Sequence, residues 1–408
     1  MALNVDAATA RYIDSLGPEA LQKAHDYTIG KEWMLLWGLI VAAVVTWLIV
    51  RSGVLDRLDS KMGDRRKNLK ALTIGFVFFV VSAVLTLPWT LYASYFREKA
   101  YGRTSQPIAD YLGQLTLSTL IGALVGALFM AGVYWLIRRT GKRWWIWSGA
   151  LTAVAFSFII LLAPVLIEPL FNKYEPVPPG EVRDAVVEMA GRAGVPPEQV
   201  FMYDGSRQSN NFTANAGGVG STARVAISDV ALKSASLEEV RAVTGHEIGH
   251  YVLKHTWMGI AFFSLAAVVL FWIADRTFPW FARKFGSSAT LGEPRGIPVL
   301  MFMVSLFGLL IMPILNTFAR TIETDADQYS LETENLPDAL STALVKTAEY
   351  RYPRPGPIEE FVFYDHPSVE ARVDPGPIIK RFQPKDRGKA YAIQKKTSHL
   401  VVALDERA

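Results

Sequence analysis

The sequence predicts a mainly α membrane protein: a polytopic helical bundle of six spans, joined to a smaller α+β part built from two soluble segments. Three observations predict it. The 408 residues are 51% hydrophobic and 20% charged, with a mean hydropathy of +0.21, whereas a soluble domain carries about 25% charge. Six charge-free stretches, Trp33–Val50, Ala71–Phe96, Leu115–Ile137, Trp144–Ile167, Thr256–Ala274 and Gly296–Ala319, match the roughly 20 apolar residues that a bilayer requires. Their ends carry Trp33, Trp89, Tyr134, Trp144, Trp145 and Trp257, rings suited to the lipid–water boundary. Buried helices of a large soluble protein are the alternative, but six such runs exceed what one core supplies. The 12% aromatic content excludes disorder, and the absence of Cys excludes a disulfide framework and leaves any metal to His and carboxylates. The net charge of +4 sits in short loops between apolar runs, a sign of membrane topology and not of a nucleic-acid partner.

In chain order, residues 6–27 read as an amphipathic helix leading into the first span. Charges at Asp6, Arg11, Asp14, Glu19, Lys23 and Asp26 argue against a cleaved secretory leader. The expected organisation is an amphipathic segment 1–32, a four-span region 33–168, a soluble segment 169–256, a two-span region 257–319 and a second soluble segment 320–408. With six crossings, the N-terminus and both soluble segments face one compartment. The opposite loops carry Arg51, Arg57, Lys61, Arg65, Arg66, Lys67 and Lys70 after span one, then Arg138, Arg139, Lys142 and Arg143, then Arg276, Arg283, Lys284 and Arg295, whereas the short segments on the other side offer only Arg11, Lys23, Lys31, Arg97, Lys99 and Arg103. The positive-inside rule puts those loops in the cytoplasm and the soluble segments outside. Gly122 and Gly126 form a small-xxx-small pair suited to packing within the bundle rather than to dimerisation.

Three of the six histidines fall within ten residues, in Gly245-His246-Glu247-Ile-Gly-His250 and His255. On a helix, His246 and His250 are one turn apart and project from one face, so both imidazoles reach a single zinc ion. Glu247 lies beside them, placed to take a proton from an activated water. Ser236-Leu-Glu-Glu239 reads as a capping box that starts this helix, with Val240, Val243 and Ile248 as its buried stripe. The alternative is a helix with two unrelated surface histidines. His255 lies about half a turn off the His246 face by the helical period, which suits packing or support of another side chain. A catalytic zinc takes three protein ligands and keeps a fourth position open. The best candidate for the third is Glu323, four residues before Asp327, which is placed to accept the free N–H of a ligand histidine. A solvated acidic helix end that also carries Asp325 is the competing reading.

These residues resemble the type I CAAX prenyl endopeptidases, integral-membrane zinc proteases of the gluzincin kind, and their bacterial relatives. The likeness runs from about residue 20 to residue 380, by way of Pro164–Lys173, Glu181–Gly194, the His246-to-His255 segment and the Glu323 and Asp327 pair. It implies one zinc per chain on His246, His250 and Glu323, with Glu247 as general base, in a gluzincin-like α+β protease part. It implies that Asn215-Ala216, ahead of the strand-like run Ala223–Ser228, contacts substrate; Asn and Gly here otherwise read as a turn. Gly217, Gly218 and Gly220 replace bulkier residues of the family. Asp365-His366-Pro367 through Arg372 resembles a motif whose histidine donates to the oxyanion while the arginine organises the site, with Ser368 in place of a second proline. The eukaryotic members carry an additional span ahead of the equivalent of Trp33–Val50.

The resemblance implies an integral multi-pass protein of the cell membrane whose partners are the bilayer and a peptide or lipidated protein substrate. It implies a site facing the cytosol, opposite to the side that the loop charges indicate. Two other functions are compatible with parts of the sequence. One is a membrane-protein quality-control protease without prenyl specificity. The other is a non-catalytic scaffold or transporter with structural zinc, which would have no use for Glu247 and would normally show four metal ligands, Cys commonly among them.

Overall fold

The computed structural model describes residues 5–63, 66–211, 213–218, 222–373, 378–385 and 389–396. Helix α1 (Val5–Asp14) is followed by α2 (Pro18–Ser52). The single amphipathic helix expected over 6–27 is therefore two, because Gly17 at φ +79 and Pro18 interrupt the ladder. A short α3 (Val54–Met62) precedes α4 (Lys67–Leu91), which passes through a π-turn at Tyr92–Phe96 into α5 (Arg97–Ala100). Next come α6 (Ile108–Thr140) and α7 (Trp144–Leu162), and later in the chain α11 (His255–Phe285) and α12 (Ile297–Glu334).

Five helical stretches among the described residues are long and apolar enough to cross a bilayer: Pro18–Ser52, Lys67–Ala100, Ile108–Leu170, His255–Phe285 and Pro294–Glu334. The expected count of six differs because it divided the third stretch, which contains both α6 and α7. A straight helix of 63 residues would measure about 95 Å, roughly three times the hydrocarbon thickness. Instead Gly141, at φ +53 and ψ −124, turns the chain, and α7 packs back against α6 and α11. Outward positions such as Val84, Leu128, Phe158, Leu265 and Leu310 are exposed apolar side chains, as a lipid-facing surface requires. Inward positions, including Ile74, Met130, Phe278, Leu300 and Met303, form one core between the spans.

Trp33, midway along α2, and Trp257, near the start of α11, are exposed, but Tyr134 and Trp144 are buried. The boundary role expected for these two does not hold. Trp144 packs on Phe271 and its indole Nε1 donates to Asp275 Oδ1 at 2.7 Å. A buried ring with one hydrogen-bonding atom is stable once that atom finds a partner. Gly126 lies under the Phe79 ring of α4, whereas no atom stands within 4 Å of a side chain built at Gly122.

The part outside the bundle is a four-stranded sheet with helices on it. Strands β1 (Tyr174–Pro176), β2 (Val200–Tyr203), β3 (Ala214–Gly217) and β4 (Arg224–Ser228) run in the order β1-β2-β4-β3. The strand-like run at 223–228 is thus interior β4, buried throughout, and β3 is the edge. Gly218 adopts φ +81, a conformation that favours glycine over a bulkier residue; Gly220 lies outside the described residues. Helices α8 (Glu181–Arg192), α9 (Asp229–Ser234) and α10 (Leu237–Val252) cover the sheet through Val186, Val225, Ile227, Val240 and Ile248. The capping box at the start of α10 is formed: Ser236 Oγ accepts from the Glu239 amide and Glu239 accepts from the Ser236 amide. After α12 come α13 (Pro337–Thr347), α14 (Pro357–Phe363) and α15 (Val369–Val373), and then an antiparallel hairpin of β5 (Ile378–Lys385) and β6 (Lys389–Lys396). Helix α1 docks on α13 and α15 through Ile13, Leu340 and Val369.

One contact positions everything functional, the close approach of α10 to the far end of α12. Gly245 and Gly249 face Ser330, Ala326 and Tyr329, and a Cβ on Gly249 would stand 3.2 Å from the Ala326 Cα. Glu334, at the end of α12, receives the Arg241 guanidinium at 2.9 Å and also pairs with Arg192 of α8. Small residues at this spacing let helix axes come closer than larger side chains allow. Gly249→Val is expected to lower the thermal midpoint of the detergent-solubilised chain, at an overpacking cost of about 1–3 kcal/mol. An unchanged midpoint would show that the two helices have room to spare.

Candidate metal centre

On α10, His246 and His250 sit one turn apart and face α12, where Glu323 and Asp327 occupy the matching turn. His246 Nε2 lies 3.3 Å from Glu323 Oε2, His250 Nε2 lies 3.4 Å from Glu323 Oε1, and the two Nε2 atoms are 3.1 Å apart. Ligand atoms at tetrahedral corners about 2.05 Å from a zinc ion stand about 3.3 Å from one another. The three separations therefore fit a single small divalent ion. Among the described residues, His246, His250 and Glu323 are the group with this capacity.

The surrounding groups orient these three. Asp327 Oδ1 accepts from His246 Nδ1 at 2.8 Å, which turns the other ring nitrogen towards Glu323. Arg372 from α15 lies with Nε 3.0 Å from Asp327 Oδ2 and donates from Nη2 to Glu323 Oε2 at 3.1 Å. Its guanidinium balances two carboxylates that are themselves nearly closed to solvent, at 2% and 8% exposure. Buried charges persist only with such partners. His366 places Nε2 3.2 Å from Glu323 Oε2, while its Nδ1 lies 2.9 Å from Asp365 Oδ1. Asp365 is in turn reached by Arg351 at 3.3 Å.

Glu247 projects towards the sheet. Its Oε2 accepts from the Ala216 amide at 3.4 Å. The Ser228 amide donates to Thr213 O, and the register pairs Asn215 with Ala226. Antiparallel alternation then turns the backbone of Thr213, Asn215 and Gly217 towards β4 and that of Ala214 and Ala216 towards the free edge. Burial pushes the Glu247 carboxyl up to about 7, helped by the nearby Glu323 carboxylate and opposed by His246. A cavity of about 220 Å³ opens beside the cluster, walled by Thr213, Ala214, Val243, Leu340 and Leu344.

His246, Glu247, His250, Glu323, Asp327, His366, Arg372 and Ala216 thus converge on one place, although they come from α10, α12, α15, β3 and a loop. Asn215 lies on the same edge strand with its backbone committed to β4. Sequence reasoning did not single out Asp365 or Arg351. The acid directly before His366 was the available signal for Asp365, and Arg351 had none. His255, half a turn off the His246 face by the helical period and expected to pack or to support another side chain, places its Nδ1 2.9 Å from His250 Nδ1.

Paired imidazoles and a carboxylate from a crossing helix, beside a buried acid and a free strand edge, are the arrangement of an integral-membrane metallopeptidase. Comparison with known proteins agrees. Residues 4–173 match the family profile described as the CAAX prenyl protease N-terminal region with five membrane helices, and residues 176–375 match peptidase family M48. The chain belongs to peptidase family M48, in its CAAX prenyl protease branch. It is 28% identical over 331 residues to the uncharacterized metalloprotease YhfN of Bacillus subtilis, covering 80% of this chain and 78% of that one. It is 25% identical over 392 residues to the CAAX prenyl protease 1 homolog of Arabidopsis thaliana, covering 91% of each. The crystal structure of S. mikatae Ste24p shares the fold with a TM-score of 0.66 at 19% identity, over 90% of this chain and 94% of that one.

The raised Glu247 carboxyl has a consequence for the metal-stripped protein. The folded state holds this proton to about pH 7, whereas the unfolded chain releases it near 4.3, so stability falls as pH rises between those values. Glu247→Gln is expected to melt higher than the parent at pH 8 after chelator treatment, by up to about 3 kcal/mol. The difference should close towards pH 4. Parallel pH profiles would contradict a buried, reluctant carboxylate.

Proposed function

We propose that this chain is a zinc endopeptidase in which His246, His250 and Glu323 hold one zinc ion and Glu247 is the general base, acting on prenylated proteins at the membrane. The observation that carries this reading is the convergence of the two Nε2 atoms and the Glu323 carboxylate at 3.1–3.4 Å beside Glu247 and the free edge of β3. A zinc ion held there supplies Lewis-acid polarisation of a scissile carbonyl and of water.

The residues of the chain do the rest. An extended substrate pairs with Ala214 and Ala216 as an added strand, which fixes the scissile carbonyl against the ligand cluster. Glu247 takes a proton from the attacking water and returns it to the leaving amine. The Nδ1–H of His366 is committed to Asp365, so Nε2, on the side of the Glu323 carboxylate, is the atom available to a carbonyl bound at the cluster. When the ring is protonated, it donates there to the developing oxyanion, a contact typically worth about 3 kcal/mol. Arg372 keeps Glu323 and Asp327 in register. The division into a membrane bundle and a catalytic part drawn from 169–256 and 320–408 follows from this reading, since each contributes residues to the one cluster.

Prenyl specificity is supported by the relatives named CAAX prenyl protease 1 homolog and by a site set against lipid-facing helices. A prenyl chain concentrates a peptide in the bilayer, where such a site takes it up laterally.

Two measurements test these assignments. Glu247→Gln is expected to retain about one zinc per chain and lose at least about a thousandfold in kcat/KM, the scale of a proton-transfer role; Glu323→Gln should lose zinc as well. Full activity in the first variant would remove Glu247 from the reaction. Matched peptides with and without a prenylated cysteine are expected to differ at least about tenfold in kcat/KM, equivalent to about 1.4 kcal/mol. Equal cleavage would remove prenyl recognition from the function.

A further inference from the structure

We propose that His255 is a positioning residue for His250: it accepts the Nδ1–H of that ring and so fixes the tautomer whose Nε2 lone pair faces the cluster. The inference rests on the ligand set proposed above.

A continuous helix would place residues 250 and 255 about 140° apart around its axis, too far round for their rings to meet. The chain avoids this by breaking. Helix α10 ends at Val252, Lys254 adopts the left-handed conformation at φ 61 and ψ 31, and α11 restarts at His255. Left-handed geometry is costly for a residue with a Cβ and persists where the surroundings over-determine it. Here the turn folds His255 back on the preceding helix. Its side chain is 3% exposed, the two ring centroids are 5.0 Å apart at 73°, and the Nδ1 atoms are separated by 2.9 Å.

Two imidazole nitrogens at that distance share one proton. His250 Nε2 lies among the ligand atoms and must be free of hydrogen to bind a metal, so its proton resides on Nδ1. His250 is therefore the donor and His255 Nδ1 the acceptor. The two ligand histidines are held differently, His246 by the Asp327 carboxylate and His250 by an uncharged ring. With a neutral ring at this position, the pocket gains an acceptor without adding a fourth negative charge to Glu247, Glu323 and Asp327.

The test is the zinc dissociation constant of the full-length protein in detergent, read by competition with a fluorescent chelator. Asn places its Oδ1 where histidine has Nδ1, Gln pushes its acceptor farther out, and Leu offers none. His255→Leu is expected to weaken zinc binding about 10–100-fold, as loss of a group supporting a ligand histidine typically does. His255→Asn should stay within about fivefold of the parent by the same logic, with His255→Gln between them. Should His255→Leu fail to fold, the Asn and Gln comparison carries the same information. Parental affinity in the Leu variant, or an equal loss with Asn, Gln and Leu, would reduce His255 to a packing role and overturn the inference alone. A parent protein that binds no zinc would overturn the reading of the centre and this inference with it.

Discussion

The chemistry of this protein depends on how closely α10 can approach α12. Two imidazoles on one helix and a carboxylate on another meet at 3.1–3.4 Å because Gly245 and Gly249 bring the backbones together. Each ångström of added separation would be lost directly from the triangle of His246, His250 and Glu323, since the side chains of His and Glu are too short to make it up. Glu334 and Arg241 hold the same pair of helices farther along, with Arg192 of α8 on the same carboxylate.

Charge balance is the second constraint. Glu247, Glu323 and Asp327 share a small volume at the end of a bundle whose outer surface is hydrocarbon-facing. Arg372 neutralises part of this charge, and a divalent cation at the ligand triangle would neutralise more. The remaining acid, Glu247, is left with one amide donor and a carboxyl shifted towards neutrality by burial. That condition suits a group that must accept a proton and give it back. The strand edge of β3 adds direction, because its outward backbone groups sit next to this carboxylate and next to the apolar wall of the cavity.

Much of this was legible in the sequence. The apolar runs marked the bundle, although hydropathy divided Ile108–Leu170 at a point where the helices are separated only by a three-residue turn. The capping box and the one-turn spacing of His246 and His250 are local features, and local features survive folding unchanged. Glu323 and Asp327 could be proposed because they share a helix face. Boundary aromatics were less readable: Trp144 looks like Trp33 in sequence, and only the neighbouring Asp275 decides that it turns inward.

By itself, the sequence determined which residues can ligate, which helix carries them and where that helix begins, because each follows from spacing along a single element. The tertiary structure alone decided that Arg372, 49 residues from Glu323 in the chain, would reach its carboxylate, and that β3 rather than β4 is the edge. It also decided the place of His255, which the helical period puts on the wrong side and one left-handed residue at Lys254 brings back. Periodicity describes a helix only while the helix lasts. Contacts made across a break, or between elements distant in sequence, are set by packing, and packing belongs to the whole chain.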